Sequence, residues 1–206
     1  MALTNAYATL DQFKDHMGVQ DDADGSLMEA ALNAASRAVD SHCRRRFYKD
    51  TTTSARVYDT DDMTLVKVDD FCSTSGLTVI YDSGDVGTYD LTWTITNDYT
   101  VWPRNGVVGG IEGFPYYEIR ATGNRWFWPS IFGRPRVQVT AQWGWSAVPD
   151  SVTEACLIKA ARLYRRKDSP EGIAGGFEIG PIRISSREDP DVVMLLEPFV
   201  RPLVAG

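Results

Sequence analysis

Asp21-Asp22-Ala23-Asp24-Gly25 places three carboxylates and a glycine in one short loop, the residue types of a calcium site. Setting Gly25 at loop position six puts Gln20 at position one and Ala31 at position twelve. The bidentate glutamate that such a loop needs at its end is missing, so a solvated loop is expected. The two histidines, His16 and His42, are not spaced as a metal-binding or catalytic pair. No nucleophile elbow and no phosphate-binding P-loop occurs, and Gly106–Gly113 lacks a lysine and reads as a hairpin loop. The pairs Asp61/Asp62 and Asp69/Asp70 could supply an acid and a base, but they fall at strand ends, where exposure is expected. Nothing assembles nucleophile, base and orienter, so no enzyme, no metal and no cofactor is expected.

The three cysteines, Cys43, Cys72 and Cys156, include no close pair, which excludes a C-x-x-C zinc site and a disulfide framework. Cys43 and Cys156 fall on apolar helix faces and read as buried thiols in a reducing compartment. All six tryptophans lie between residues 93 and 145. Packing accounts for most of them, and a sugar-stacking face is the alternative. Trp126-Phe127-Trp128 does not alternate like a strand and is a candidate contact with another protein. Arg44-Arg45-Arg46 closes one predicted helix and Arg165-Arg166-Lys167 another. Both runs suit the negative end of a helix dipole, and both could pair with acidic surface on a neighbouring subunit or touch phosphates.

The elements that position these residues fall into three stretches. Thr9-Leu10-Asp11-Gln12 is a capping box for a short helix that Gly18 stops. Ser26-x-x-Glu29 reads as a second box, opening a helix to about Arg46 with a stripe of Met28, Ala31, Leu32, Ala35, Val39, His42 and Cys43. From Thr51 to Trp145 the period becomes two. Strands are expected at Arg56–Tyr58, Thr64–Val68, Leu77–Tyr81, Tyr89–Ile95, Tyr99–Trp102, Tyr116–Thr122 and Arg136–Trp143. Helical spacing returns after Pro149 with Ser151-x-x-Glu154 and runs to about Lys167. Phe177–Ser185 reads as a strand or hairpin, and Asp189-Pro190 caps a short helix that Pro198 ends. The expectation is an α+β chain. A helical core of residues 1–50 and 146–206, with two long antiparallel helices and two short terminal ones, carries an inserted small antiparallel β domain over 51–145, a sandwich or barrel.

Length and charge agree with this. The 206 residues suffice for a real core, and 43% hydrophobic with 24% charged residues is a globular composition. The net charge of −7 disfavours a simple non-specific DNA binder. No apolar run reaches membrane length and no secretory signal is visible, so no membrane partner is expected.

The sequence as a whole resembles the head-to-tail adaptor (head-completion or connector) proteins of long-tailed bacteriophages, especially those infecting actinobacteria. The resemblance is carried by Tyr7-Ala8-Thr9-Leu10-Asp11-Gln12-Phe13, by Ala38–Phe47, by Gly144–Pro149 with the helix closing on Leu163–Pro170, and by Asp189–Phe199. It implies a structural virion protein, made in the host cytoplasm and residing in the neck. Such a protein forms a ring, expected to be a dodecamer, beneath the portal protein and above a next ring or tail terminator, with genomic DNA passing through the lumen without specific binding. Under that resemblance Arg44, Arg45, Arg46, Arg165, Arg166 and Lys167 are subunit-interface candidates. Pro198, Phe199, Arg201 and Leu203 form a tail expected to order only against portal or a neighbour. A carbohydrate-binding or decoration module using the tryptophan-rich stretch is the other reading.

Overall fold

The computed structural model describes residues 2–21, 23–167, 173–174, 182–183 and 189–201. The chain divides into two compact units: Met1–Phe47 with Val148–Gly206, and Tyr48–Ala147.

The first unit is helical. α1 (Leu10–Met17) opens on the expected capping box: Thr9 Oγ1 accepts from Gln12 N, and the Gln12 side chain accepts from Thr9 N. Gly18, at φ 68°, closes it in the left-handed conformation. α2 (Gly25–Cys43) starts two residues earlier than the Ser26 box requires. Asp24 occupies the cap position and its carbonyl accepts from Leu27 N and Met28 N, so Ser26 already lies inside the helix. The helix also ends sooner than expected, because Arg44 turns left-handed at φ 54° and its N–H returns to the Asp40 carbonyl. α3 (Asp150–Arg165) begins after Pro149 without a side-chain cap, so the Ser151–Glu154 box does not form either.

The two long helices pack against each other. Asp24 meets Tyr164 and Lys167, while Ser36 Oγ lies 3.4 Å from Cys156 Sγ, so they run antiparallel. Met28, Leu32, Ala35 and Val39 face Val152, Ala155, Cys156 and Ala160 in a seam without solvent access. The alanines allow the close approach. Phe13 of α1 meets Tyr164 edge-on. α4 (Pro190–Leu196) is capped by Asp189, whose side chain accepts from Asp191 N, and it packs on α3. Pro198 does not simply end the chain's order; it sits in a 3₁₀ turn, Glu197–Phe199. Of the expected hairpin Phe177–Ser185, only Ile182–Arg183 falls within the described residues, paired antiparallel with Ile173–Ala174.

The second unit holds two small antiparallel sheets around one core. Their strands are β1 (Ser54–Tyr58), β2 (Leu65–Phe71), β3 (Thr78–Tyr81), β4 (Leu91–Trp93), β5 (Tyr99–Trp102), β6 (Tyr116–Ala121) and β7 (Val137–Ala141). One sheet has the order β1-β7-β3-β4 and the other β2-β6-β5. The end of β2 crosses to the segment after β7, with Cys72 N donating to Gln142 O and Gly144 N to Asp70 O. Gly144 has φ 101°, and a Cβ there would lie 2.0 Å from the Tyr48 carbonyl oxygen, so only glycine fits. The core is aromatic and β-branched: Val66, Phe71, Val79, Trp93, Ile119, Phe127, Val139 and Trp143 are all buried. Three of the six tryptophans, Trp93, Trp143 and Trp145, are thus buried. Asp70 overturns its expected exposure, being 6% exposed, because the buried Trp145 indole N–H donates to its carboxylate at 3.1 Å.

Candidate assembly surfaces

The first basic run is partly absorbed by its own unit. The left-handed turn at Arg44 sends its guanidinium Nη1 to the Arg201 carbonyl at 3.1 Å, while Arg201 N donates to the Cys43 carbonyl at 2.9 Å. Two residues before Arg201 lies Phe199, 2% exposed and edge-on to Phe47. Phe47 in turn meets Tyr7 edge-on. The Tyr7 hydroxyl donates to Asp40 and accepts from Phe47 N at 2.9 Å. Burial lifts the Asp40 carboxyl above the usual carboxylate range, against the pull of the Tyr7 hydrogen bond and of the Arg37 and Arg46 charges.

The expectation that this segment orders only against a partner therefore needs correction for its described residues. Pro198, Phe199 and Arg201 are ordered on their own helical unit, since burying an aromatic ring in the Tyr7–Phe47 cluster is favourable without any partner. Leu203 lies outside the described residues. The signal missed was the run Arg46-Phe47-Tyr48, in which Phe47 reads as the end of a helix but acts as a receptor for the C-terminal segment.

The second run sits at the opposite end of the antiparallel helix pair. Lys167 Nζ donates to Asp24 and lies 2.8 Å from the Tyr164 hydroxyl. Hydrogen bonds from Lys167 and Tyr164 hold the Asp24 carboxyl below its ordinary range, and the same contact with Asp24 raises the Lys167 ammonium. The loop once considered for calcium thus uses a carboxylate to close a helix pair. Arg165 and Arg166 are exposed.

Trp126, Phe127 and Trp128 separate by role. Phe127 is fully buried and stacks on Trp93 at 4.6 Å, while Trp126 and Trp128 stand 47% and 53% exposed. Immediately after them Ile131 is 84% and Phe132 65% exposed. The backbone beneath these side chains is heavily braced. Ser130 Oγ donates to Asp85 Oδ1 and accepts from Phe132 N and Arg134 N, and Ile131 N donates to Asp85 Oδ2. Buried Arg136 donates to the carbonyls of Asp82, Ser83 and Trp128. Tyr81 and Thr60 hydroxyls also reach the Trp128 carbonyl. The Ser130 and Ile131 hydrogen bonds depress the Asp85 carboxyl below its ordinary range. Ile131 and Phe132 were missed from sequence. Their setting, Pro129-Ser130-Ile131-Phe132-Gly133-Arg134-Pro135, is itself the signal, because turn formers on both sides leave two large apolar residues nowhere to pack.

A cleft of about 290 Å³ beside this loop is lined by Asp59, Thr60, Asp61, Ser130 and Arg134. In the helical unit an open groove of about 500 Å³ runs along Leu3–Thr9 and the start of α3. Burial raises the Cys43 thiol to about 12 and also raises Cys156, so neither is a ready nucleophile. Among the described residues no group of three or more His, Cys, Asp or Glu could hold a metal ion, and no helix is long and apolar enough to cross a membrane.

Residues 7–67 match the family described as phage gp6-like head-tail connector protein. The matched stretch holds α1, α2, β1 and the start of β2. No curated protein matches the chain. Among solved structures, the chain is similar to one in the neck of the empty gene transfer agent (GTA) particle computed with C6 symmetry. The identity is 15% and the TM-score 0.56, over 100% of this chain and 96% of that one. A chain in the virion of the native GTA particle gives 17% identity and a TM-score of 0.55 over the same shares. One in the native GTA neck computed with C12 symmetry gives 16% and 0.54, again over those shares. The resemblance to head-tail adaptors thus has support in both sequence and fold. The fold likeness extends over the whole chain, beyond the family match.

Proposed function

We propose that this protein is a non-enzymatic structural component of a phage-type virion neck, forming a ring of about twelve copies under closed cyclic symmetry. The ring extends the DNA channel below the portal protein and receives a next ring or the tail. The observation that carries this reading is the coincidence of the connector-family match over residues 7–67 with end-to-end likeness to a chain of a neck assembly. The physical features agree. The long helices close on alanine and leave charge at both ends, and large apolar side chains remain on a rigid loop.

In a ring of acidic subunits the lumen is neutral or negative, so DNA slides without being gripped. Each neutralised phosphate would add salt-sensitive affinity and slow transit. The exposed cations Arg165 and Arg166, with the Arg44–Arg46 run, then serve lateral contacts. Negative-stain microscopy of the protein mixed with its cognate portal is the test. Rings stacked on the portal are expected, and a protein that stays dispersed and leaves the portal bare would refute the reading. Tight, salt-dependent binding of duplex DNA by the assembled ring would refute the non-gripping lumen.

A further inference from the structure

The exposed loop of the β unit has a chemical complement on the helical unit of the same sequence. Residues 123–134 contain two arginines and no carboxylate. Arg125 is paired with Asp98, whereas Arg134 stands exposed beside Phe132, 5.5 Å from its ring, with Nη1 donating to the Asp85 carbonyl at 3.3 Å and no carboxylate within ion-pair distance among the described residues. The loop tip is therefore apolar with a cationic edge: Trp128, Ile131 and Phe132 beside Arg134. It is also held in shape before any partner arrives, by the Ser130–Asp85 and Arg136 hydrogen bonds, so docking would lose little conformational freedom.

α4 presents the inverse surface. Asp191, Met194 and Glu197 repeat every three residues along one exposed face, with Val193 alongside. Met194 is 66% exposed and Val193 38%, while Val192 and Leu196 are buried on the other side. An apolar centre between two carboxylates fits an apolar tip with an arginine at its edge. The two surfaces are different patches, so their contact between copies is head-to-tail, the kind that closes rings.

We infer that the loop around Ile131 and Phe132 of one copy docks on the Val193–Met194 face of α4 in a second copy, with Arg134 meeting Asp191 or Glu197. The occupant is another copy of this chain. The inference deepens the ring reading, because it assigns the β unit a lateral role.

The test uses full-length Phe132→Cys and Met194→Cys variants, each in a Cys72→Ser background, with a short bis-maleimide cross-linker. Both substituted positions are exposed, and circular dichroism should match the parent protein. A cross-linked dimer is expected when the two variants are mixed and not from either alone. Asp191→Lys with Glu197→Lys in the Met194→Cys partner should abolish it. No cross-link in the mixture overturns the contact, and a dimer from Phe132→Cys alone replaces it with loop-to-loop pairing. Rings on the portal without this cross-link would leave the neck reading standing and remove only this interface. The cross-link in a protein that never joins the portal would do the reverse.

Discussion

Phe199 meets Phe47 edge-on, with ring centroids 5.8 Å apart and planes at 84°, although 152 positions separate the two residues in sequence. The contact ties the segment around Phe199 to the stretch just after α2 and makes it part of the helical core. Phe199→Ala is expected to destabilise the helical unit by about 3–5 kcal/mol, the usual range for removing a buried aromatic ring. Thermal melts followed by circular dichroism check it.

Acid should loosen the β unit. The Asp62, Asp85, Asp90 and Asp98 carboxyls are held below their ordinary range, chiefly by hydrogen bonds from Thr64, Ser130, Ser83 and Arg125 respectively. Depressed carboxylates take up protons in the unfolded chain first. Their stabilisation is therefore present above about pH 4 and is lost as the pH falls through the lower folded values. The melting temperature of the β unit should fall with pH in that window, and Asp85→Asn should show a shallower fall.

Gly144→Ala should be far worse than Gly133→Ala, although both glycines have positive φ. A Cβ at Gly144 would meet the Tyr48 carbonyl, whereas nothing lies within 4 Å of one at Gly133. Backbone strain and overpacking together suggest about 2–6 kcal/mol at Gly144. Strain alone suggests about 1–2 kcal/mol at Gly133. Urea titration of both variants measures the difference.

The stretch 51–145 should be dispensable for pairing of the long helices. Closing the gap with a short Gly/Ser linker changes the loop-closure entropy little, and the α2–α3 seam is unaffected. Helical circular dichroism with a cooperative melt is the expected result. Loss of all helical signal would show that the helices depend on the β unit.

Arg165→Glu with Arg166→Glu should weaken ring formation while lowering the melting temperature only slightly, since both side chains are exposed and only their interaction with the helix dipole is lost. Reversal at Arg44 should cost stability as well, because its guanidinium holds the Arg201 carbonyl. Microscopy and thermal melts on the same preparations separate the two effects.

Local rules in the sequence located the elements well. Thr9, Gly18 and Asp189 cap where their types require, and Tyr99–Trp102 has the expected bounds, because each signal is contained within a few residues. What the sequence hid was long-range. Ser26 and Glu29 form a valid capping pattern, yet Asp24 takes the cap while its side chain engages α3, a contact 140 residues away. Phe199 reads as a loose tail residue because its receptor, Phe47, lies in another stretch. Asp70 reads as exposed because the indole that satisfies it is 75 residues downstream. The assembly surfaces were half legible: Trp126 and Trp128 drew notice by type, while Ile131 and Phe132 escaped because their exposure depends on a brace of Ser130, Asp85 and Arg136.

That brace holds the loop almost entirely through main-chain atoms and three polar side chains set back from the tip. The brace reaches Ile131 and Phe132 through their backbone N–H groups, not through their side chains. Natural variation can therefore rewrite the tip without disturbing its mount, and so can a designer grafting new contact residues. Lineages carrying this frame should diverge fastest at 131 and 132 while keeping Ser130, Asp85 and Arg136, with each changed tip matched by change in whatever surface receives it.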